Sequence, residues 1–345
     1  MAQERAQAWL FESGPRDAAR SIVDAAAATG ALRELGKRLP ARLHLGTSSW
    51  TFPGWAGLVY DRAVTKEKLA RSGLAAYAAH PLFRTVGLDR TFYKSMSREE
   101  MAELAALVPA GFRFLVKAHQ SLTRPLGDER GRTFGDTAAL ASGGLANPLF
   151  LDVQYAIDRV VGPAVMGLKE ACGPIVFQFP PLDLAALGGV EELRDRVEGF
   201  LSGLPRGPLY TVEVRNHAIA SATHAAGWAA MLERCGALHG LVGHPSMPGI
   251  SEQARLFDSP PRRALVIRWL LRPDRSYEEA KDRYEPFDKL VDEDPTARGQ
   301  IVTLLKAAAV AERDVWVIAN NKAEGSAPLS LGRLAEELLR GRLPV

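Results

Sequence analysis

The run Tyr210-Thr211-Val212-Glu213-Val214-Arg215-Asn216-His217 sets a carboxylate and a guanidinium two residues apart in a β-rich stretch. In an extended chain that spacing turns both side chains to one face. If the face is an interior one, the pair must be satisfied by each other, by a further charge or by a ligand. Glu213 is then the candidate to move a proton, and Arg215 to stabilise developing negative charge. The competing reading is a structural ion pair. Lys117 closes the run Phe112-Arg113-Phe114-Leu115-Val116-Lys117. Turned inward, its amine is an anion ligand or a group of altered basicity that joins Glu213 and Arg215; turned outward, it is a surface lysine whose stem packs on its neighbours.

Other strand ends carry polar or aromatic groups that an ordinary core has no use for. Arg268 ends an apolar run and is followed by Arg272 and Arg275, a place where barrels often bind phosphate; the alternative for Arg272 and Arg275 is a solvated face. Asn320 and Asn321 offer amide donors and acceptors that would fix a substrate beside Arg268, or else form an Asx-type turn before Gly325. Trp50 follows Gly46-Thr47-Ser48-Ser49, Asp89 and Tyr93 fall just beyond the run 83–88, and Gln178 falls near the end of the run 174–179; all four are candidate substrate contacts, Trp50 against the plainer reading of a turn with packing aromatics. His119, His217, His239 and His244 also follow β-rich runs and, with Glu213 or Asp89, supply mixed nitrogen and oxygen donors. No two of them share a metal-binding spacing, so neither a metal nor a cofactor is expected. Gly-Thr-Ser-Ser-Trp is not the Gly-x-Ser-x-Gly elbow of a serine hydrolase.

The elements that must position these residues follow a rhythm. Short β-rich runs at 42–47, 83–88, 112–118, 174–179, 209–215, 237–242, 264–269 and 314–319 alternate with amphipathic stretches at 65–79, 97–108, 152–171, 190–203, 223–234, 276–290, 298–311 and 330–341. Eight strands in βα alternation predict an α/β protein, a (β/α)8 TIM-type barrel with its working residues at the strand ends. The rival open sheet is weakened because no strand is followed by Gly-x-Gly-x-x-Gly. An Ala-rich stretch at 15–38 reads as an N-terminal helical extension, dividing the chain into 1–40 and a barrel domain at 41–345. Segments 119–151 and 243–263 read as long loops that shape or cover the site.

Composition sets the outer bounds. Lys and Arg number 43 against 40 Asp and Glu, for a formal charge of +3, too little to imply nucleic acid or an anionic membrane as the partner. No stretch is long and apolar enough to span a bilayer, and the start has no leader pattern. Cys172 and Cys235 match neither a zinc nor a redox spacing, and the chain reads as cytoplasmic.

In combination the motifs resemble the YecE-like family, domain of unknown function 72. The resemblance rests on Gly46-Thr47-Ser48-Ser49-Trp50 with Trp55 and Tyr60, on Thr91-Phe92-Tyr93, on Phe112-Arg113-Phe114 with Val116-Lys117, on Gln178-Phe179-Pro180-Pro181, on Glu213-Val214-Arg215, and on Asn320-Asn321 with Gly325 and Ala327. It runs in order over roughly 42–340 and implies a barrel similar to those of sugar isomerases and metal-dependent endonucleases. Two departures stand out. Where the family reads Val-Glu-Ile-Asn, this chain has Val86-Gly87-Leu88-Asp89, losing an acid on the second strand, and Trp269-Leu270-Leu271 replaces a His-Gly after the seventh. The leading expectation is acid–base chemistry on a small phosphorylated or carboxylated molecule, by a hydrolase, isomerase or lyase. Its rivals are nucleic-acid binding or cleavage, with Trp50, Trp55, Phe92 and Tyr93 stacking on bases, and a non-catalytic ligand-binding scaffold.

Overall fold

The computed structural model describes residues 22–127, 133–134, 145–258 and 264–340. Nine parallel strands, β1 (Leu43–Thr47), β2 (Phe83–Leu88), β3 (Arg113–Lys117), β4 (Cys172–Gln178), β5 (Tyr210–Glu213), β6 (Leu238–His239), β7 (Leu241–Gly243), β8 (Ala264–Trp269) and β9 (Asp314–Ala319), form one sheet. Its ladder runs β7-β8-β9-β1-β2-β3-β4-β5-β6, so that β1 lies between β9 and β2 and the sheet curls into a nearly closed barrel. These strands are buried on both faces, as parallel strands under helices must be; β8 and the inner five residues of β9 are wholly buried,.

Strands β6 and β7 are the two halves of the single predicted strand at 237–242. β6 extends β5, β7 pairs with β8, and Gly240 between them donates its N–H to Val212 O at 2.8 Å. The free edge of β7 is covered by a side chain. Gln253, fully buried, accepts from Val242 N at 3.0 Å and donates to Val242 O at 2.8 Å and Pro248 O at 2.6 Å. One amide thus does for Val242 what a neighbouring strand would do. Gln253 belongs to a helix, Ile250–Phe257, inside the segment expected to be a loop.

Two cores follow from the two-residue period of the strands. The larger lies between sheet and helices; the smaller, Leu115, Val176, Leu238, Ala264, Val266, Trp316 and Ile318, fills the barrel interior. One step further along the same inward columns come Lys117, Gln178, Arg268 and Asn320,. The apolar plug of the barrel is therefore the floor on which these polar groups stand.

Several boundaries differ from expectation. Within the N-terminal stretch, residues 22–29 are not helical and Ala25 bridges Tyr60; the helix is Gly30–Arg38, capped by the Thr29 hydroxyl, while 15–21 lie outside the described residues. The helix expected over 276–290 stops at Tyr284, because Pro286 follows and cannot continue it,. The one expected at 298–311 begins earlier, at Pro295, with the Asp294 carboxylate as its cap and proline in its favoured first position,. The stretch 152–171 divides into Val153–Ala156, a π-type turn at Ile157–Val161, and Gly162–Leu168. In the segment 119–151, three two-residue strands, Leu126–Gly127, Thr133–Phe134 and Leu145–Ala146, pair antiparallel. No helix among the described residues is long and apolar enough to cross a membrane.

Candidate functional site

Glu213 ends β5 in register with Gln178 of β4, and both face the interior. Its side chain is fully buried and each of its oxygens is engaged. Arg268 Nη1 lies 2.6 Å from Glu213 Oε2, while Arg215 Nε and Nη2 lie 3.1 and 3.0 Å from Oε1. The same Arg268 Nη1 donates to Gln178 Oε1 at 2.9 Å, and its Nη2 lies 3.5 Å from Asp89 Oδ1. Burial alone would raise the Glu213 carboxyl, but Arg268 and then Arg215 outweigh it and hold the group down at about 2,. Glu213 is thus a fixed anion that aligns two guanidinium groups.

Lys117 is different. It is 7% exposed, and among the described residues no carboxylate lies within ion-pair distance of its Nζ. Its ammonium sits 3.8 Å from the centroid of the Phe92 ring,. Burial lowers its proton affinity, Asp89 restores part of it, and the result is a pKa of about 8,. Thr91 fixes the neighbouring backbone by donating its hydroxyl toward Lys117 O. Lys117, Arg215 and Arg268 set against Glu213 and Asp89 leave one positive charge in excess.

The remaining candidates separate into two groups. Asp89 and Gln178 touch Arg268, and Tyr93 lies above, 68% exposed, its phenol within reach of the charges on Asp89 and Arg215. Asn320 reaches the mouth edge, donating to Ser48 Oγ at 2.9 Å while accepting from Lys322 N at 3.0 Å, the Asx-type turn of the plainer reading. Asn321 lies behind it and caps the last helix: its Oδ1 accepts from Ala327 N at 2.8 Å and from Trp55 Nε1 at 3.2 Å. Trp50 is 3% exposed, with its indole N–H on Leu69 O at 3.0 Å and Arg90 over its ring, so it packs behind the mouth. The arginines after β8 are turned away. Arg272 binds Asp274 at 2.8 Å and the carbonyl of Glu293, and Arg275 pairs with Asp292 at 3.3 Å, so the expected phosphate contacts at these two positions are replaced by ion pairs within the loops.

The histidines are scattered. His119 Nδ1 meets the Tyr155 hydroxyl at 3.2 Å, His239 stacks on Phe257 at 3.9 Å, and His244 Nδ1 lies 2.8 Å from Ser246 Oγ. Burial, reinforced by Arg215, lowers His244 to about 4, so it is neutral at pH 7,. Among the described residues no three His, Cys, Asp or Glu side chains converge as a metal site. Gly87, where the acid of the second strand is missing, faces Ser48, and a Cβ there would stand 3.1 Å from Ser48 O. Asp89, two residues on, brings a carboxylate to the same end.

Sequence reasoning missed Lys322 and Tyr277. Lys322 is 7% exposed with its Nζ 4.1 Å from the centroid of Tyr277. Its position directly after Asn320-Asn321, at the end of β9, was the available signal. A cavity of about 760 Å³ lies on the outer flank, lined by Leu32, Leu58, Leu82 and Leu329 among others. It lies between the helix Gly30–Arg38 and the last helix, whereas the charged side chains converge at the strand ends.

The profile of a family described as "Protein of unknown function DUF72" matches residues 44–343. A crystal structure of a DUF72 family protein from Enterococcus faecalis superposes with a TM-score of 0.58 at 15% identity, covering 88% of this chain and 98% of that one. Another, from Thermotoga maritima, gives 0.55 at 19% identity, covering 86% and 98%. At these identities the likeness speaks to the fold alone. No curated protein matches the chain.

Proposed function

The chain belongs to the DUF72 family, and we propose that its barrel mouth binds a small phosphorylated or carboxylated molecule on which Lys117 performs acid–base chemistry. The observation that carries this reading is the buried Lys117 ammonium with no carboxylate in ion-pair contact among the described residues. A buried cation without a counter-ion is costly, and an anionic ligand is the natural partner. Arg215, 17% exposed in its side chain, presents the second positive edge. Arg268, held through its Nη atoms by Glu213, Gln178 and Asp89, sets the positions of the others.

Proton transfer falls to Lys117 in this reading, and no longer to Glu213. A carboxyl held near 2 by two guanidinium groups is a weak base at neutral pH, whereas an amine near 8 gives and takes protons close to it,. A small ligand is favoured over a nucleic-acid strand because Trp50 and Trp55, the indoles that would have stacked on bases, are 3% and 0% exposed. Calorimetric titration with inorganic phosphate and with small carboxylates is the test. Wild-type protein should bind one class or the other, and Lys117→Met should bind at least about tenfold more weakly; equal affinity of the two proteins would sink the assignment. Binding should also weaken as pH rises through about 8, where Lys117 loses its proton,.

A further inference from the structure

Lys117 is held in a way that suits bond formation as well as charge pairing. Its column on β3 points into the barrel, since Leu115, two residues earlier, belongs to the interior plug,. The end of β3 is fixed on the side of β2. Leu88 lies in register with Val116, and the Thr91 hydroxyl sits between the carbonyl oxygens of Leu88 and Lys117, 2.6 Å from the latter. That register sets Asp89, the residue after Leu88, beside Lys117, the residue after Val116. The two form no ion pair; Asp89 Oδ1 lies 3.5 Å from Arg268 Nη2 instead, and its side chain is 32% exposed. An amine and a carboxylate therefore stand side by side at the end of the barrel without closing on each other. The face of Phe92, 3.8 Å from Nζ, occupies the place where a carboxylate would otherwise hold the ammonium. A desolvated lysine that shares its site with guanidinium groups is an arrangement that makes an amine nucleophilic. With a pKa of about 8, about a tenth of it is neutral at pH 7, against roughly one in a few thousand for an ordinary lysine,.

We propose that Lys117 forms a Schiff base with the carbonyl group of a small aldehyde or ketone that carries a phosphate or carboxylate, and that Asp89 moves the protons. The proposal rests on the anion-binding reading of the mouth and names its substrate class. The anionic end meets Arg215, whose side chain is 17% exposed, and the carbonyl carbon lies between Nζ and the Asp89 carboxylate. Glu213 cannot take the part of Asp89, because Arg268 and Arg215 engage both its oxygens. Asp89 first takes a proton from the ammonium. The freed nitrogen pair forms the N–C bond as the carbonyl π pair moves to oxygen, and a proton passes from nitrogen to that oxygen to give the carbinolamine. The Asp89 carboxyl then returns its proton to the hydroxyl, which leaves as water while the nitrogen pair closes the C=N bond. Ammonium and carbonyl become iminium and water, with no change of oxidation state and Asp89 restored. The iminium draws electrons from the adjacent carbon and readies its bonds for cleavage.

Sodium cyanoborohydride reduces an iminium to a stable amine, which makes the step visible. The full-length protein is incubated with pyruvate, with glycolaldehyde phosphate or, as the uncharged control, with acetaldehyde, each together with the reductant, and its lysine peptides are mapped by mass spectrometry. The Lys117 peptide should gain a carboxyethyl or phosphoethyl group at least about tenfold faster than any surface lysine, and faster than it gains an ethyl group from acetaldehyde. Asp89→Asn keeps the shape and should slow that gain at least about tenfold, while calorimetry shows inorganic phosphate still bound. Lys117→Arg keeps the charge but not the nucleophile, so it should bind phosphate and form no adduct at this position. Lys117 left unmodified, or modified at the pace of surface lysines, in protein that binds phosphate or a carboxylate overturns the Schiff base and leaves the anion site standing. Acetaldehyde reacting at Lys117 as fast as the anionic carbonyls overturns the substrate class, and an Asp89→Asn protein of undiminished rate overturns the part given to Asp89. Absence of both binding and adduct removes the anion site, and the Schiff base with it.

Discussion

Lys117 and Glu213 stand on the same floor of the barrel, both buried and both shifted below their ordinary pKa, but the neighbouring guanidinium groups favour the charge on Glu213 whereas burial disfavours the charge on Lys117. Glu213 is an anion between two guanidinium groups; removing its charge strands Arg268 in an interior where it is 2% exposed. Glu213→Gln should therefore lower unfolding free energy by about 3–5 kcal/mol. Lys117 behaves oppositely. Its folded pKa of about 8 lies below the ordinary 10.5, so the unfolded chain holds the proton to higher pH and the buried charge opposes folding at neutral pH. Stability should rise with pH between about 8 and 10.5, and Lys117→Met should remove that slope while adding at most about 3 kcal/mol at pH 7,. Urea denaturation of both variants at pH 7 and 9.5 decides the matter: a Lys117→Met protein less stable than wild type at pH 7 would contradict the account. The Glu213–Arg215 pair was legible because a two-residue period is local. Arg268 as the second partner, 55 positions away, was not, because nothing local to Glu213 points to it. Trp50 misled for a related reason, since a strand-end indole declares its bulk but not whether Leu69 will accept its N–H.

Strand order and spacing were legible at the scale of elements because each strand is short, β-rich and bounded by turn residues, and all eight predicted runs match observed strands within a few positions. What the sequence could not convey is how the sixth is broken. Gly240 divides it, and the half-strand Leu241–Gly243 keeps one ladder edge only because Gln253 folds back upon it. Its helix was overlooked since Pro248-Gly249 announces a turn and Ile250–Phe257 spans only eight residues. The Gln253 amide is the sort of surrogate strand that sequence patterns do not announce. Gln253→Leu retains the bulk but leaves the N–H and C=O of Val242 unpaired in a buried place, at about 1–3 kcal/mol for each group. A loss of that size in chemical denaturation is expected, with hydrogen exchange accelerated at Val242; a variant as stable as wild type would mean that water or a neighbouring strand already serves those groups.

At the scale of the whole molecule 43 basic residues stand against 40 acidic ones. Many basic groups outside the mouth are already matched: Arg234 to Glu198, Arg313 to Asp258, Arg298 to Glu324, Arg283 and Arg275 to Asp292, Arg272 to Asp274. Lys117 and Lys322, by contrast, have aromatic rings beside them in place of carboxylates. Both of these buried ammonium groups lie just after strands, Lys117 at the end of β3 and Lys322 beyond β9, and in the proposed reading it is a compact anion that Lys117 meets. Salt dependence distinguishes such a ligand from a nucleic-acid strand. A strand that released counter-ions from six to ten phosphates would lose about 10³–10⁵ in affinity between 50 and 200 mM salt, whereas one or two phosphate contacts cost less than about twentyfold. For a small phosphorylated or carboxylated ligand of this protein the weaker dependence is expected, and in Lys117→Met weaker still, because one of the few contacts is gone. A steep slope that survives Lys117→Met would move the binding surface away from the strand ends and onto the outer face of the barrel.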